Sequence, residues 1–292
     1  CATVGNGNTV TLTVTDNNTN VSTCTATVTI QDNVAPIAIC QPVTVQLDNA
    51  GNGSITTAQV DNNSTDNCAI ATYSLDNSSF TCANVGANTV VLTVTDVNGN
   101  VSTCSSTITV EDNVAPVADC QDITVQLDAT GNVSIAGSDV NGASTDACGG
   151  LTYAVVPNAF TCAEVGVNTV TLTVTDGSGN TATCSADVTV EDNVVPNAIC
   201  QDSTIQLDPT GNATIIAADI DNGSADACTI ATTSATPTAF TCTEMGPNTV
   251  TLTITDVNGN SSNYSATVTV QDMQAPTAIC QDIIVALNPS SV

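Results

Sequence analysis

Residues 88–112 read NTVVLTVTDVNGNVSTCSSTITVED. Up to the turn DVNGN the side chains alternate, with Val90, Leu92 and Val94 on one face and Val91, Thr93 and Thr95 on the other, and a period of two is that of a strand. After the turn Cys104, Ile108 and Val110 return on the inward parity while Thr107 and Thr109 point outward. The stretch therefore predicts a β-hairpin. Upstream lie VTVQL (43–47), a glycine-rich turn DNAGNG (48–53), a strand near SITTAQV (54–60), an acidic loop DNNSTDN (61–67), and two short strands around IATYSL (70–75) and FTC (80–82). No stretch carries a helical period. About seven short strands with a turn between each pair is the pattern of an immunoglobulin-like sandwich.

The pattern repeats. Cys40, Cys120, Cys200 and Cys280 are each 80 residues apart (120 − 40 = 80), and the same step relates Phe80, Phe160 and Phe240, or Asp96, Asp176 and Asp256. Eighty residues is too long for a solenoid repeat and suits a small domain. Boundaries placed at the recurring linkers IQDNVAPIAIC (30–40), VEDNVAPVADC (110–120), VEDNVVPNAIC (190–200) and VQDMQAPTAIC (270–280) give three full units, 35–114, 115–194 and 195–274. Residues 1–34 match the end of a unit and 275–292 its beginning, as in a window on a longer array. The fold expected is all-β: immunoglobulin-like sandwiches in tandem, end to end as a rod.

The core of each unit is thin, because aromatic residues are 2% of the chain and tryptophan is absent. Domains of this kind need staples. Cysteine supplies one. A full unit has places for four, as in Cys40, Cys68, Cys82 and Cys104, or Cys120, Cys148, Cys162 and Cys184. With no histidine and no C-x-x-C pair, zinc is a poor reading, and disulfides imply an oxidising, extracellular compartment. Two pairings stay open within a unit: Cys40 with Cys104 plus Cys68 with Cys82, or Cys40 with Cys68 plus Cys82 with Cys104. Loop entropy gives roughly 7 kcal/mol for either, so it does not choose. The third unit is a cysteine short, since Tyr264 stands where Cys104 and Cys184 stand in the others.

The run NTVVLTVTDVNGNVSTCSSTITVEDNVAPVADC (88–120) resembles the hyalin repeat, an immunoglobulin-like module of extracellular and adhesive proteins with a V-T-D-x-x-G-N turn followed by T-x-C. The match extends over the full units and both fragments. Gln41, Gln121 and Gln201 depart from it, where proline commonly follows the cysteine, as does the absence of tryptophan in the second strand. The resemblance implies a bond from the cysteine after the proline to the one after the turn, hence Cys40 with Cys104 and Cys120 with Cys184. That leaves Cys68 for Cys82, Cys148 for Cys162 and Cys228 for Cys242, with Cys200 unpaired and Cys242 protected from alkylation. Long runs of such units are similar to stalks of secreted bacterial surface adhesins, including those of gliding bacteria.

Charge points to a second staple. The chain has 28 acidic residues and no lysine, arginine or histidine, a formal net charge of −28. The acids recur in three places: at the linkers (Asp32, Asp112, Asp192, Asp272), in the middle loops (Asp66, Asp146, Asp226) and before the hairpin turns (Asp96, Asp176, Asp256). In an immunoglobulin-like sandwich the middle loop and the last hairpin turn lie at the end where the chain enters, so the linker should meet both. Carboxylates a few Å apart repel by about 1 kcal/mol per pair even in water, and a hard divalent cation relieves this. Calcium, with six to eight oxygen ligands, is the expected one. The linker also resembles the D-x-N-D-N-A-P junction of cadherins, which implies calcium between successive domains. Before the second full unit the expected ligands are Asp112 and Asn113 from the linker, Asp146 from the middle loop, and Asp176 with Asn180 from the hairpin turn. For any one loop, these residues also read as ordinary turn formers.

Composition also excludes. Without histidine or lysine there is no Ser-His or Cys-His nucleophile and no activated amine, and equivalent carboxylates in every unit read as structural rather than as an acid/base pair. A uniformly acidic surface offers nucleic acid no phosphate contact and disfavours anionic membranes, and no apolar run is long enough to span one. The expected partners are further repeats of the same chain and, in a fibre, identical neighbours. A second reading places ice, glycans or a neighbouring fibre against outward threonine rows such as TLTVT (11–15, 171–175), although threonine is also simply a good strand former.

Overall fold

The computed structural model describes residues 4–285. The fold is all-β and immunoglobulin-like, and the chain divides into two compact units. The first comprises the chain up to Gln121 with Ala136–Val156 and Thr171–Ser185. It opens with a hairpin of β1 (Gly5–Thr15) and β2 (Val21–Ile30). Then follow β3 (Val43–Gln46), β4 (Asn52–Ser54), the one-turn helix α1 (Thr57–Val60), β5 (Ile70–Leu75), β6 (Ser79–Thr81), β7 (Gly86–Asp96) and β8 (Val101–Glu111). One sheet has the order β3-β8-β7-β5, with β3 parallel to β8 and the other pairs antiparallel. The opposite sheet is β4 with β6.

The parity read from residues 88–112 is the one observed. Val90, Leu92, Val94 and Ile108 have no exposed surface, and Val110 has 1%. Phe80 comes from the small sheet to fill the space among them, and each such side chain contributes about 1.5–3 kcal/mol on burial. The hairpin β1–β2 lacks sheet partners among the described residues, so Val10, Leu12 and Val14, equivalent to Val90, Leu92 and Val94, stay more than half exposed.

The second unit comprises Asp122–Ile135, Pro157–Val170 and the chain from Ala186. It contains the same design 160 residues on (203 − 43 = 160): Ser203–Gln206 runs parallel to Ser261–Gln271, which pairs with Gly246–Asp256, which pairs with Ile230–Thr236. Asn212–Thr214 and Ala239–Thr241 form the small sheet, and Phe240 and Leu252 sit in the core. Strands of residues 115–194 fall in both units: Thr152–Val156 pairs with Thr171–Thr175 in the first, and Ile123–Gln126 with Val188–Glu191 in the second.

Two expectations are corrected. SITTAQV is not a strand: Thr57–Val60 forms a helical turn because the Thr56 backbone N–H donates to Gln59 Oε1 at 2.7 Å, closing a capping box. The strand lies just before it, at Asn52–Ser54, and each full repeat has six strands where about seven were expected, with short helical turns such as Cys82–Asn84 between some of them.

The cysteines are paired differently from the short pairs expected. Cys40 is bonded to Cys104 and Cys120 to Cys184, each across 64 residues. Cys82, however, is bonded to Cys148, and Cys162 to Cys228, each across 66 residues. Cys68 is also disulfide-bonded. Cys82 lies at the turn after β6, and Cys148 in the middle loop of the following repeat, so the bond crosses the expected boundary at 114. The expected short pairs therefore do not form, and Cys242, expected to be paired, is free and exposed. Cys200 is free as well, and Cys24 and Cys280 likewise. Unfolded, unreduced protein should thus expose both Cys200 and Cys242 to alkylation, not Cys200 alone.

Candidate metal centre

The hairpin turn is built by one aspartate. Asp96 Oδ1 accepts from the backbone N–H groups of Asn98 and Asn100, and Asp96 Oδ2 accepts from Asn100 Nδ2 at 2.8 Å. Gly99 takes φ +90°, a conformation that side chains rarely adopt. Asp176 and Asp256 repeat this arrangement with Asn180 and Asn260. Burial is the largest influence on Asp96 and Asp176 and pushes their carboxyls up, but the asparagine side chain and the backbone donors together outweigh it and hold both below the ordinary value.

The same asparagine reaches the linker. Asn180 Nδ2 donates to the carbonyls of Asp112 and Val114 at 3.1 and 3.2 Å, and Asn100 and Asn260 donate to the carbonyls of Asp32 and Asp192. Turn and linker are thereby locked together, which brings the linker aspartate to the middle loop. There the backbone N–H of Cys148 donates to Asp146 Oδ2 at 2.7 Å, as Cys68 does to Asp66 and Cys228 to Asp226.

Among the described residues three groups of potential ligand atoms result, each within 4.8 Å: Asp32, Asp66 and Asp96; Asp112, Asp146 and Cys148; Asp192, Asp226 and Cys228. In the latter two the sulfur belongs to a disulfide, so it is not a thiolate and the available donors are carboxylate oxygens. Asp176 and Asp256 fall outside these groups and brace their turns instead. Asn113 donates to Gln46 Oε1 and lines an open groove with Asp146. Asp272 is exposed and accepts from the Gln274 N–H.

The donors are not all satisfied. Asp192 is 6% exposed, its Oδ1 accepts from the Val194 N–H, and its Oδ2 is buried with no hydrogen-bond partner. Asp32 Oδ2 and Asp66 Oδ1 are buried and unpartnered too. Asp112 differs because Ser178 Oγ donates to its Oδ2 at 3.1 Å. A buried acceptor without a donor costs about 1–3 kcal/mol, and more when charged, and the chain has no lysine, arginine or histidine to offset it. Orphaned carboxylate oxygens facing a second carboxylate suit a hard cation such as Ca2+. Zinc would call for thiolate or imidazole donors, and the group offers neither.

No family model matches the chain, and no curated protein matches it. Solved structures similar to it include PcdhgB3 EC1-4 (15% identity over 94% of this chain and 85% of that one, TM-score 0.33). Human CDH23 EC21-23 is 15% identical over 80% of this chain and all of that one, TM-score 0.35. A three-Ig structure of titin is 9% identical over 82% of this chain and 99% of that one, TM-score 0.32. Among the described residues no helix is long and apolar enough to cross a membrane.

Proposed function

We propose that this chain is a non-catalytic structural segment of a secreted cell-surface protein, built from units 35–114, 115–194 and 195–274 in series. It would be stapled by disulfides and stiffened by calcium where each linker enters the next unit. The hyalin-type turn and linker support a stalk of the kind found in bacterial surface adhesins. The disulfides support an oxidising compartment. The observation that carries the reading is the buried, unpartnered Asp192 Oδ2 beside Asp226.

When bound, the cation would supply the positive charge the sequence lacks, held by Asp192 with Asp226, Asp112 with Asp146, and Asp32 with Asp66 and Asp96. The chain's own residues do the positioning: Asn100, Asn180 and Asn260 fix the linker carbonyls, and the loop N–H groups orient the second carboxylate. An ion bound only to the folded state stabilises it by mass action, by about 2.7 kcal/mol at a hundred times its Kd. Calcium should therefore raise the thermal unfolding midpoint and a chelator should lower it, read by circular dichroism. Identical midpoints with millimolar calcium and with excess chelator would overturn the cation reading, and the paired variant Asp192→Asn/Asp226→Asn should lose part of the calcium response.

A further inference from the structure

Two of the acidic groups include the sulfur of a disulfide, which the cation reading leaves without a part. We propose that the disulfides Cys162–Cys228 and Cys82–Cys148 are working parts of the cation sites, so that ion binding and the closed disulfide sustain one another. The inference rests on the cation reading above and adds a redox dependence to it.

Cys228 is 5% exposed, and its sulfur lies within 4.8 Å of ligand oxygens from both Asp192 and Asp226. Its backbone N–H holds Asp226 Oδ2 at 2.7 Å. The position of the Asp226 carboxylate is therefore tied to the Cys228 backbone, which the disulfide ties to Cys162 on the turn Cys162–Glu164. Contact at that turn is close: a Cβ on Gly131 would stand 2.7 Å from Cys162 Sγ, 3.2 Å from Ala227 Cβ and 3.7 Å from Cys228 Sγ. Asp192 reaches the site separately, through the linker carbonyl held by Asn260. Two carboxylates carried on separate segments repel each other, and the covalent bond keeps one of them in place while the ion is absent.

The same parts recur at the other site. Cys148 N–H holds Asp146 Oδ2, Cys148 is bonded to Cys82, and Gly51 meets Cys82, Ala147 and Cys148 as Gly131 meets its counterparts. In the group Asp32, Asp66 and Asp96 the third potential ligand is a carboxylate, and there too Asp66 Oδ2 is held by the N–H of a disulfide-bonded cysteine, Cys68.

Coupling between two equilibria is reciprocal, so the ion must protect the disulfide if the disulfide supports the ion. Reduction by dithiothreitol proceeds by thiolate attack on one sulfur, a mixed disulfide, and ring closure of the reagent, which gives up two electrons and leaves two protein thiols. The whole chain would be brought to equilibrium in mixtures of reduced and oxidised dithiothreitol, with calcium or with chelator, and the thiols present would be alkylated and located by mass spectrometry, with calcium binding measured in parallel by calorimetry on the unreduced protein.

At equilibrium calcium should lower the ratio of opened to closed Cys162–Cys228 and Cys82–Cys148 about tenfold or more relative to Cys120–Cys184, and Asp226→Asn should remove the protection at Cys162–Cys228 alone. Calorimetric binding without selective protection would overturn this inference and leave the cation reading standing. No calorimetric binding at all would overturn both.

Discussion

Asp176 is the residue on which most of the local geometry converges. Its carboxylate accepts from Ser178 N, Asn180 N and Asn180 Nδ2 while only 5% exposed. Replacing it with alanine should destabilise its sandwich by about 1–3 kcal/mol, since buried donors are left unpaired, measurable by denaturant unfolding. Its folded pKa lies below the ordinary 3.8, so its contribution is complete above that value and is lost as the pH falls through the lower folded pKa. Asp96 behaves alike. The unfolding midpoint should accordingly hold from pH 7 to about 5 and fall below about pH 4, and this fall should be smaller in Asp176→Ala.

Tyr264 is the other decisive single residue. It pairs in register with Leu252 as Cys104 pairs with Leu92, so the backbone around Cys200 is already arranged for a bond that the side chain denies. Burial, with Asp221 and Asp202 nearby, pushes the Cys200 thiol up, which keeps it protonated and slow to react. Tyr264→Cys should close a 64-residue loop, add about 4 kcal/mol of stability on the chain-entropy account, and abolish thiol titration at Cys200. A free Cys200 in a folded Tyr264→Cys protein would contradict the equivalence of the repeats.

At the scale of elements, strand parity was legible because a half-buried hairpin has to alternate. Val90, Leu92 and Val94 announce their face without help from the rest of the chain. At Thr57 the strand expected from Ile55 and the threonines does not form, because the capping-box spacing of Thr56 and Gln59 wins locally. The linker, middle loop and hairpin turn were expected at one end, and Asp32, Asp66 and Asp96 do lie together there. Cysteine pairing was not legible, for a physical reason. Loop entropy depends on the logarithm of loop length, so it barely distinguishes partners, and four cysteines within 80 residues look like a closed set. Cys82 and Cys148 belong to different repeats, and only the packing of Gly51, Ala147 and the turn at Cys82 makes them neighbours. Nor could sequence separate Asp112, satisfied by Ser178, from Asp192, whose second oxygen has no donor.

For the whole molecule, the bonds at Cys40–Cys104 and Cys120–Cys184 have a consequence under tension. A pull along the chain bypasses the segment inside each bond, a sequence separation of 64, and runs through the 16 residue steps from Cys104 to Cys120 (120 − 104 = 16). Fully drawn out, 16 residues span roughly 55 Å, against roughly 280 Å for an unbridged 80-residue repeat. Loss of the fold therefore adds little length there, whereas in residues 195–274 the bond Cys162–Cys228 bridges only as far as Cys228, and the 46 residues from there to 274 (274 − 228 = 46) can draw out to roughly 160 Å. In single-molecule pulling under oxidising conditions, one long extension should come from residues 195–274, and comparable ones from 35–114 and 115–194 should appear only after reduction. The missing cysteine makes residues 195–274 more extensible than the two bridged repeats before them.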